Sequence, residues 1–446
     1  MENQLQSAPT FKRTLKLYHL TILGVAYMTP MIVYGIYGVI AATSYGQPAG
    51  AFTIGVVAMF FTAYSYCHMV KAFPIAGSSY TFTRKGLNPK IGFMTGWMIL
   101  LDYLFIPMAI WLIGSSYFEA AIPSVPRWAW VILFIVVTTA LNIIGMKIGA
   151  NVNIFLVLIQ IMIILAFIIF SIKTVMAGMG ESTLTLTPFF NPDVPFDYVV
   201  AGAAISCYCY LGFDAITTFV EEAVEPEKNI PRAIMLTLLI CGIAFVAASY
   251  FTTLAHPSYD FANIDNASYE IAKIIAPPIF ASILLVGVII AQFASGVSAQ
   301  AAGARLLYAM GRDGVLPKKI FGVLNVKFNT PVRSILITGA IALLATKLDV
   351  TTSTSFINFG AFVAYILVNI SVISHFFIRK KERGFASVMK YLLFPAIGAS
   401  LVFYLLIHLD IAAVILGCGW SVVGFIILLY LTKMFKQEPP EMTIDE

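Results

Sequence analysis

Long apolar runs separated by short polar stretches dominate the pattern of this chain. About 20 consecutive apolar residues suffice to cross a bilayer as a helix. On that criterion the pattern predicts 12 spans, near residues 20–43, 51–70, 91–122, 128–146, 150–172, 198–220, 232–256, 277–304, 332–348, 353–378, 390–408 and 411–432. The third run is long and carries Pro107, which predicts a tilt or kink, and the ninth is short. The longest stretches between spans are 71–90, 173–197, 257–276 and 305–331, too short for a soluble domain. The ends read as a polar segment over 1–19 and a short, acidic, disordered tail over 433–446.

Composition agrees with the pattern. Of 446 residues, 60% are apolar and 11% charged, where soluble domains carry about 25% charged residues. Nearly the whole chain must lie in lipid. Residues 1–19 lack the small-residue cleavage site of a signal peptide, so the first span serves as its own targeting signal. Charge then orients the spans. Of the 27 Lys and Arg, only Arg127, Lys173, Lys273 and Lys347 fall on one side. The remainder, among them Lys12, Arg13, Lys16, Arg84, Lys85, Arg312, Lys318, Lys319, Arg379, Lys380, Lys381 and Arg383, fall on the other. Basic residues favour cytoplasmic loops, so both termini are expected inside, in a multi-pass protein of a cytoplasmic membrane. The cysteines Cys67, Cys207, Cys209, Cys241 and Cys418 lie in or beside apolar runs with no convincing disulfide or metal spacing.

Two spans contradict their own apolar character. The first contains Tyr27-Met28-Thr29-Pro30-Met31, followed by Gly35 and Gly38. Proline lacks a backbone donor and clashes with the preceding turn, so the helix should open there. The sixth contains Gly202, then Leu211-Gly212-Phe213-Asp214, and ends in Glu221-Glu222. Glycine and proline are common in membrane helices, and a lone Pro30 reads as a kink. Two interruptions at matched positions, one beside an acid, point instead to a transporter site. Spans one and six are five apart and run in opposite directions. That predicts two inverted repeats, 20–173 and 198–378, with two further helices over 390–432.

Two acids lie deep. Asp102 sits roughly 14 Å into span three and Asp214 about 9 Å from the end of span six, at 1.5 Å per residue. Intramembrane acids are costly and mark ion or substrate pathways. Either can carry a proton or attract a cation, although Asp102 is equally readable as a structural residue bonded to backbone or hydroxyl groups. Aromatic residues crowd both interruptions: Tyr27, Tyr34 and Tyr37 in span one, Tyr208, Tyr210 and Phe213 in span six. An ammonium over an aromatic face gains about 0.5–2 kcal/mol. Glu221, Glu222, Glu225 and Glu227 form either a solvated loop or a gate pairing with the basic stretch 305–319. Pro226 and Pro231 are placed at the end of span six and the start of span seven. In span eight, Ala291, Ser295, Ala299 and Gly303 make one small-residue face suited to close packing. No nucleophile–base constellation, metal cluster, cofactor motif or pore-lining charge ring is visible.

Three blocks carry a family resemblance. They are Phe73-Pro74-x-Ala76-Gly77-Ser78-Ser79-Tyr80 with Gly92-Phe93-x-x-Gly96-Trp97, then Leu211-Gly212-Phe213-Asp214 with Glu221-Glu222 and Ile230-Pro231-x-Ala233, and Arg305-Leu306-x-Tyr308-Ala309-Met310-Gly311-Arg312-Asp313-Gly314-x-x-Pro317 with Thr330-Pro331. Over essentially its whole length the chain resembles the amino acid–polyamine–organocation superfamily. Within it the chain looks most like the bacterial putrescine importers, through Tyr27–Met31, Leu101-Asp102-Tyr103-Leu104-Phe105, Gly212-Phe213-Asp214-Ala215 and Ile357-Asn358-Phe359-Gly360-Ala361. The resemblance implies a five-plus-five core with two extra helices, and proton-driven uptake of an amine or amino acid. Three departures qualify the substrate. Amino acid members carry Gly-x-Gly where this chain has Thr29-Pro30-Met31, the putrescine importers carry an Asp where Gly35 stands, and some proton-coupled members carry a lysine where Gln160 stands.

The expectation is therefore an all-α, 12-span secondary transporter, not an enzyme and not a nucleic-acid binder, importing a small cationic amine such as putrescine, or an amino acid, by alternating access. Its substrate site is expected from Tyr27, Met28, Thr29, Pro30, Met31, Asp102, Tyr208, Tyr210, Gly212, Phe213 and Asn358. Proton coupling or gating falls on Asp214, Asp102, Glu221 and Glu222. A neutral amino acid permease and a ligand sensor that moves nothing are the alternatives.

Overall fold

The computed structural model describes residues 13–441 apart from 76–77, 146–149, 182–183, 326 and 329. Lys12, the Ala76-Gly77 pair and the two chain ends lie outside the described residues. Among the described residues, 11 helices are long and apolar enough to cross a membrane, and a shorter apolar helix, Val332–Thr346, completes the predicted 12. Apart from the two interrupted ones, the spans take their expected places, from Pro48–Ala72 (span two) to Ile411–Leu431 (span twelve). Span three, Pro89–Ala121, runs on through Pro107 as one helix.

Three expectations change. The connections 71–90 and 257–276 are not plain loops, because they hold the short helices Ser78–Gly86 and Ala267–Ile275. Pro226 opens span seven (Pro226–Ala255), as a first-turn proline can, whereas Pro231 lies inside that helix. In span eight (Pro278–Arg312) the closest approach runs over Gly296 and Gly303. A Cβ at Gly303 would lie 2.6 Å from the Tyr103 carbonyl oxygen, and one at Gly296 would lie 2.5 Å from the Trp111 ring nitrogen. Ala291 is buried nearby, while Ser295 and Ala299 stay partly exposed.

Both predicted interruptions are real. Span one is helical over Leu17–Met28, then Thr29 turns left-handed at φ +46° ahead of Pro30, and helix resumes over Ile32–Gly35 and Tyr37–Thr43. Span six is α-helical over Phe196–Ser206 and tightens to 3₁₀ over Cys207–Tyr210. Leu211 is extended and Gly212 has φ +111°. A second 3₁₀ run covers the eight residues Asp214–Glu221. Runs beyond three or four residues are uncommon in 3₁₀ form and often mark hinges.

The two membrane faces are built differently. On the face away from the N-terminus, here the far face, Arg127 Nη1 lies 2.5 Å from Asp265 Oδ2 and donates through Nη2 to the Leu112 carbonyl at 3.0 Å. Ser116 donates to the Asp265 carbonyl, and Asn266 donates back to the Ser116 carbonyl. This pins the Ile264–Asn266 turn onto the second half of span one, where Gly38 leaves no room for a Cβ against the Ile264 carbonyl. On the N-terminal face, backbone bonds tie the lead-in of span one to the turn after span six. The Thr14 and Leu15 amides donate to the Glu222 carbonyl at 2.9 and 3.0 Å, and the Val224 amide donates to the Leu15 carbonyl at 2.9 Å.

Candidate functional site

The two interruptions touch. Gly212 packs on the backbone of Tyr27, where an added Cβ would lie 3.2 Å from the Tyr27 carbonyl carbon and Cβ. Positive φ and this close approach both demand glycine. The last turn before the span-one break thus lies against the start of the span-six break.

Asp214 begins the second half of span six. Its carboxyl group lies against the backbone amides of Gly212 and Ala215 and its own amide. Tyr365 of span ten reaches it with a hydroxyl donated to Oδ1 at 3.4 Å. Asp102 of span three is close enough to Asp214 to interact electrostatically, and its Oδ1 is buried without a hydrogen-bond partner. Both acids are partly exposed although their spans are mostly buried. A carboxylate facing hydrocarbon is strongly disfavoured. Tyr27 is half exposed and Thr29 and Phe219 partly exposed, with the Tyr27 and Phe219 ring centroids 6.2 Å apart.

An aromatic wall stands behind the acids. Phe213, Tyr66 of span two and Tyr365 have ring centroids 5.4–5.9 Å apart. The Tyr66 hydroxyl is bonded to Ser79 of the short helix that follows span two. Tyr208 lies near Asp102 and is almost fully buried.

Span five (Ala150–Met176) supplies a residue that holds the first break open: Gln160 Oε1 accepts the Met31 amide at 3.1 Å, with both residues buried. Span eight supplies Gln292, whose Nε2 is buried without a partner and faces Gly35.

The structure thus gathers Tyr27, Thr29, Pro30, Met31, Asp102, Tyr208, Gly212, Phe213 and Asp214 around the two breaks, with Met28 buried in the last turn before them. Tyr210 points elsewhere, its hydroxyl donated to the Phe52 carbonyl at 2.9 Å and its ring packed on Phe245. Asn358 is fully buried and donates to the Ala204 and Ile205 carbonyls at 2.8 and 3.4 Å, bracing the end of the first half of span six. Glu221 is exposed, and Glu222 takes part through its backbone carbonyl. The loop carries the ion pair Glu225–Lys228 at 3.0 Å, and its backbone bonds to Thr14 and Leu15. Tyr365 was not singled out by the sequence, yet it lies seven residues after Asn358, on the same helix face.

An amino acid permease family model matches residues 19–435. The low-affinity putrescine importer PlaP of Escherichia coli strain K12 is 40% identical over 433 residues, 96% of each chain. The methylthioribose transporter of Bacillus subtilis is 30% identical over 392 residues, 83% of this chain and 82% of its own. The branched-chain amino acid permease BcaP of the same organism is 26% identical over 452 residues, 96% and 95% of the two chains.

Proposed function

The chain belongs to the amino acid permease family of the amino acid–polyamine–organocation superfamily, and from that premise we propose that it imports a small amine, putrescine or a close analogue, by alternating access driven by protons. The observation that carries this reading is the pair of acids at the joined breaks. Asp102 presents an oxygen with no partner among the described residues, and Asp214, within electrostatic reach of it, has a weak tyrosine contact. Two carboxylates and an aromatic wall suit an ammonium group, which gains from both. In the alternating-access cycle the substrate enters from the far face, binds between spans one, three, six and ten, and leaves past the half-exposed Tyr27. The two interrupted spans lie in inverted repeats, 20–173 and 198–378, and the basic face is cytoplasmic. Asp214 carries the proton, because it heads the 3₁₀ segment that links the site to the N-terminal face.

The 26% identity to a branched-chain amino acid permease keeps a neutral amino acid as a second reading. Uptake of radiolabelled putrescine into proteoliposomes under an imposed pH gradient tests the first. Accumulation that collapses with the gradient is the expected result. If no diamine and none of the common amino acids accumulates, the transport reading falls. Asp214→Asn and Asp102→Asn should each lower putrescine uptake about a hundredfold, the order expected for removing one partner of a desolvated charge pair.

A further inference from the structure

The amides at a helix break are the natural cradle for an anion, because N–H groups at a helix start lack intrahelical partners. An α-amino acid brings a carboxylate to such a cradle, whereas a diamine brings none. The donors in this protein can be counted.

In span one every amide of the break is committed. The Thr29 amide donates to the Ala26 carbonyl at 3.2 Å, and Pro30 has no N–H. The Met31 amide is taken by the Gln160 side chain. The amides of Ile32, Val33, Tyr34 and Gly35 donate to the carbonyls of Thr29, Pro30, Met31 and Met31 at 2.8–3.4 Å. In span six the Leu211 and Ala215 amides donate to the Tyr208 and Gly212 carbonyls at 3.3 and 3.2 Å, and the Gly212 amide lies against the Asp214 carboxyl group. The acceptor side is the reverse: Asp102 Oδ1 is buried and unpartnered.

We infer that the joined breaks reject a carboxylate, so that the substrate is an amine lacking one, and that Pro30 and Gln160 are the residues that set this specificity, Pro30 by deleting an amide and Gln160 by occupying the next. This rests on the transport reading above and narrows it. An amino acid entering the site would desolvate its carboxylate beside two acids with no free span-one amide to receive it. A site that leaves a buried polar group unpaired discriminates by about 10⁴-fold when the mismatch is complete.

The test is uptake of putrescine against ornithine, which differ by one carboxylate, in proteoliposomes of the full chain. Wild type should take putrescine at least about a hundredfold faster than ornithine at equal concentration, well inside that bound. Gln160→Leu releases the Met31 amide, and Pro30→Gly restores an amide at position 30. Each should raise the ornithine-to-putrescine ratio about tenfold, the factor of one hydrogen bond to a charged group. Gln160→Glu keeps an acceptor on the Met31 amide and should give a ratio no higher than wild type. The ratio is taken within each variant, so a smaller folded fraction cancels. Should a variant not fold, thermal-shift binding to the wild type reads the same discrimination, with putrescine raising the melting temperature and ornithine leaving it unchanged. Equal uptake of the two by wild type overturns carboxylate rejection while leaving transport standing. Rejection that persists unchanged in both Gln160→Leu and Pro30→Gly overturns the assignment to those residues. Accumulation of neither compound removes the transport reading itself, and this inference with it.

Discussion

The far face and the N-terminal face of this protein are closed by different means. The far face is held by a largely buried ion pair, Arg127–Asp265, by backbone running against glycine at Gly38, and by side-chain bonds such as Tyr37 to Thr253 at 2.9 Å. On the N-terminal face three backbone hydrogen bonds tie residues 14–15 to 222–224, and Arg379 donates to the Lys85 and Leu87 carbonyls, while Tyr27 stays half exposed. The difference teaches where the barrier stands. Opening the far face must break several buried contacts together, whereas the near face yields at about 1 kcal/mol per bond.

The largest effect should come from filling the closest approach. Gly38→Val places a side chain into the Ile264 carbonyl and Ala267, and overpacking against backbone costs about 3 kcal/mol. Putrescine uptake should fall about a hundredfold. Thr253→Cys, introduced in a Cys418→Ser background, should become labelled by a membrane-impermeant thiol reagent from the far side. Unchanged labelling would mean that the far seal does not depend on this approach.

Next is the ion pair. Removing one partner of a buried pair costs about 3–5 kcal/mol, and the side chain of Arg127 is 25% exposed, which places the effect nearer 2 kcal/mol. Asp265→Asn should shift the closed far face toward open about thirtyfold, read by the same labelling, with the swap Arg127→Asp plus Asp265→Arg recovering part of it. If the single variant labels like wild type, the pair is ornamental and the contrast between faces shrinks to packing.

The smallest effect belongs to the near face. Leu15→Pro removes one amide from the strap, a loss of about 1 kcal/mol or a fivefold shift. Labelling of Tyr27→Cys from the N-terminal side should rise by that factor, with far-side labelling unmoved. A change as large as that of Gly38→Val would erase the distinction between the two faces.

Much of this was written in the residues. The spans were legible because lipid tolerates little but uninterrupted apolar helix. The breaks were legible because Pro30 cannot donate and because Gly212 stands next to an acid. Asp102 and Asp214 stood out because charge in hydrocarbon is rare. The partners were not legible. Gln160 and Tyr365 are ordinary polar side chains until folding brings them across 129 and 151 residues to Met31 and Asp214. Tyr208 and Tyr210 look alike in sequence, yet two residues in a three-residue turn point to different sides, and Tyr210 packs away from the acids. The helices Ser78–Gly86 and Ala267–Ile275 are too short to register as apolar runs. The far seal is a tertiary contact throughout, so no local pattern announces it.

The eight-residue 3₁₀ run Asp214–Glu221 has a mechanical consequence. A 3₁₀ helix rises about 2.0 Å per residue and turns about 120°, against about 1.5 Å and 100° in an α-helix. Rewinding this run into α form would shorten it by about 4 Å and unscrew it by close to half a revolution. One end carries Asp214 and the other adjoins Glu222, the acceptor of the strap. A single change of pitch is therefore both a stroke and a twist, coupling the acid at the joined breaks to the latch at the span's end as a screw couples its head to its tip.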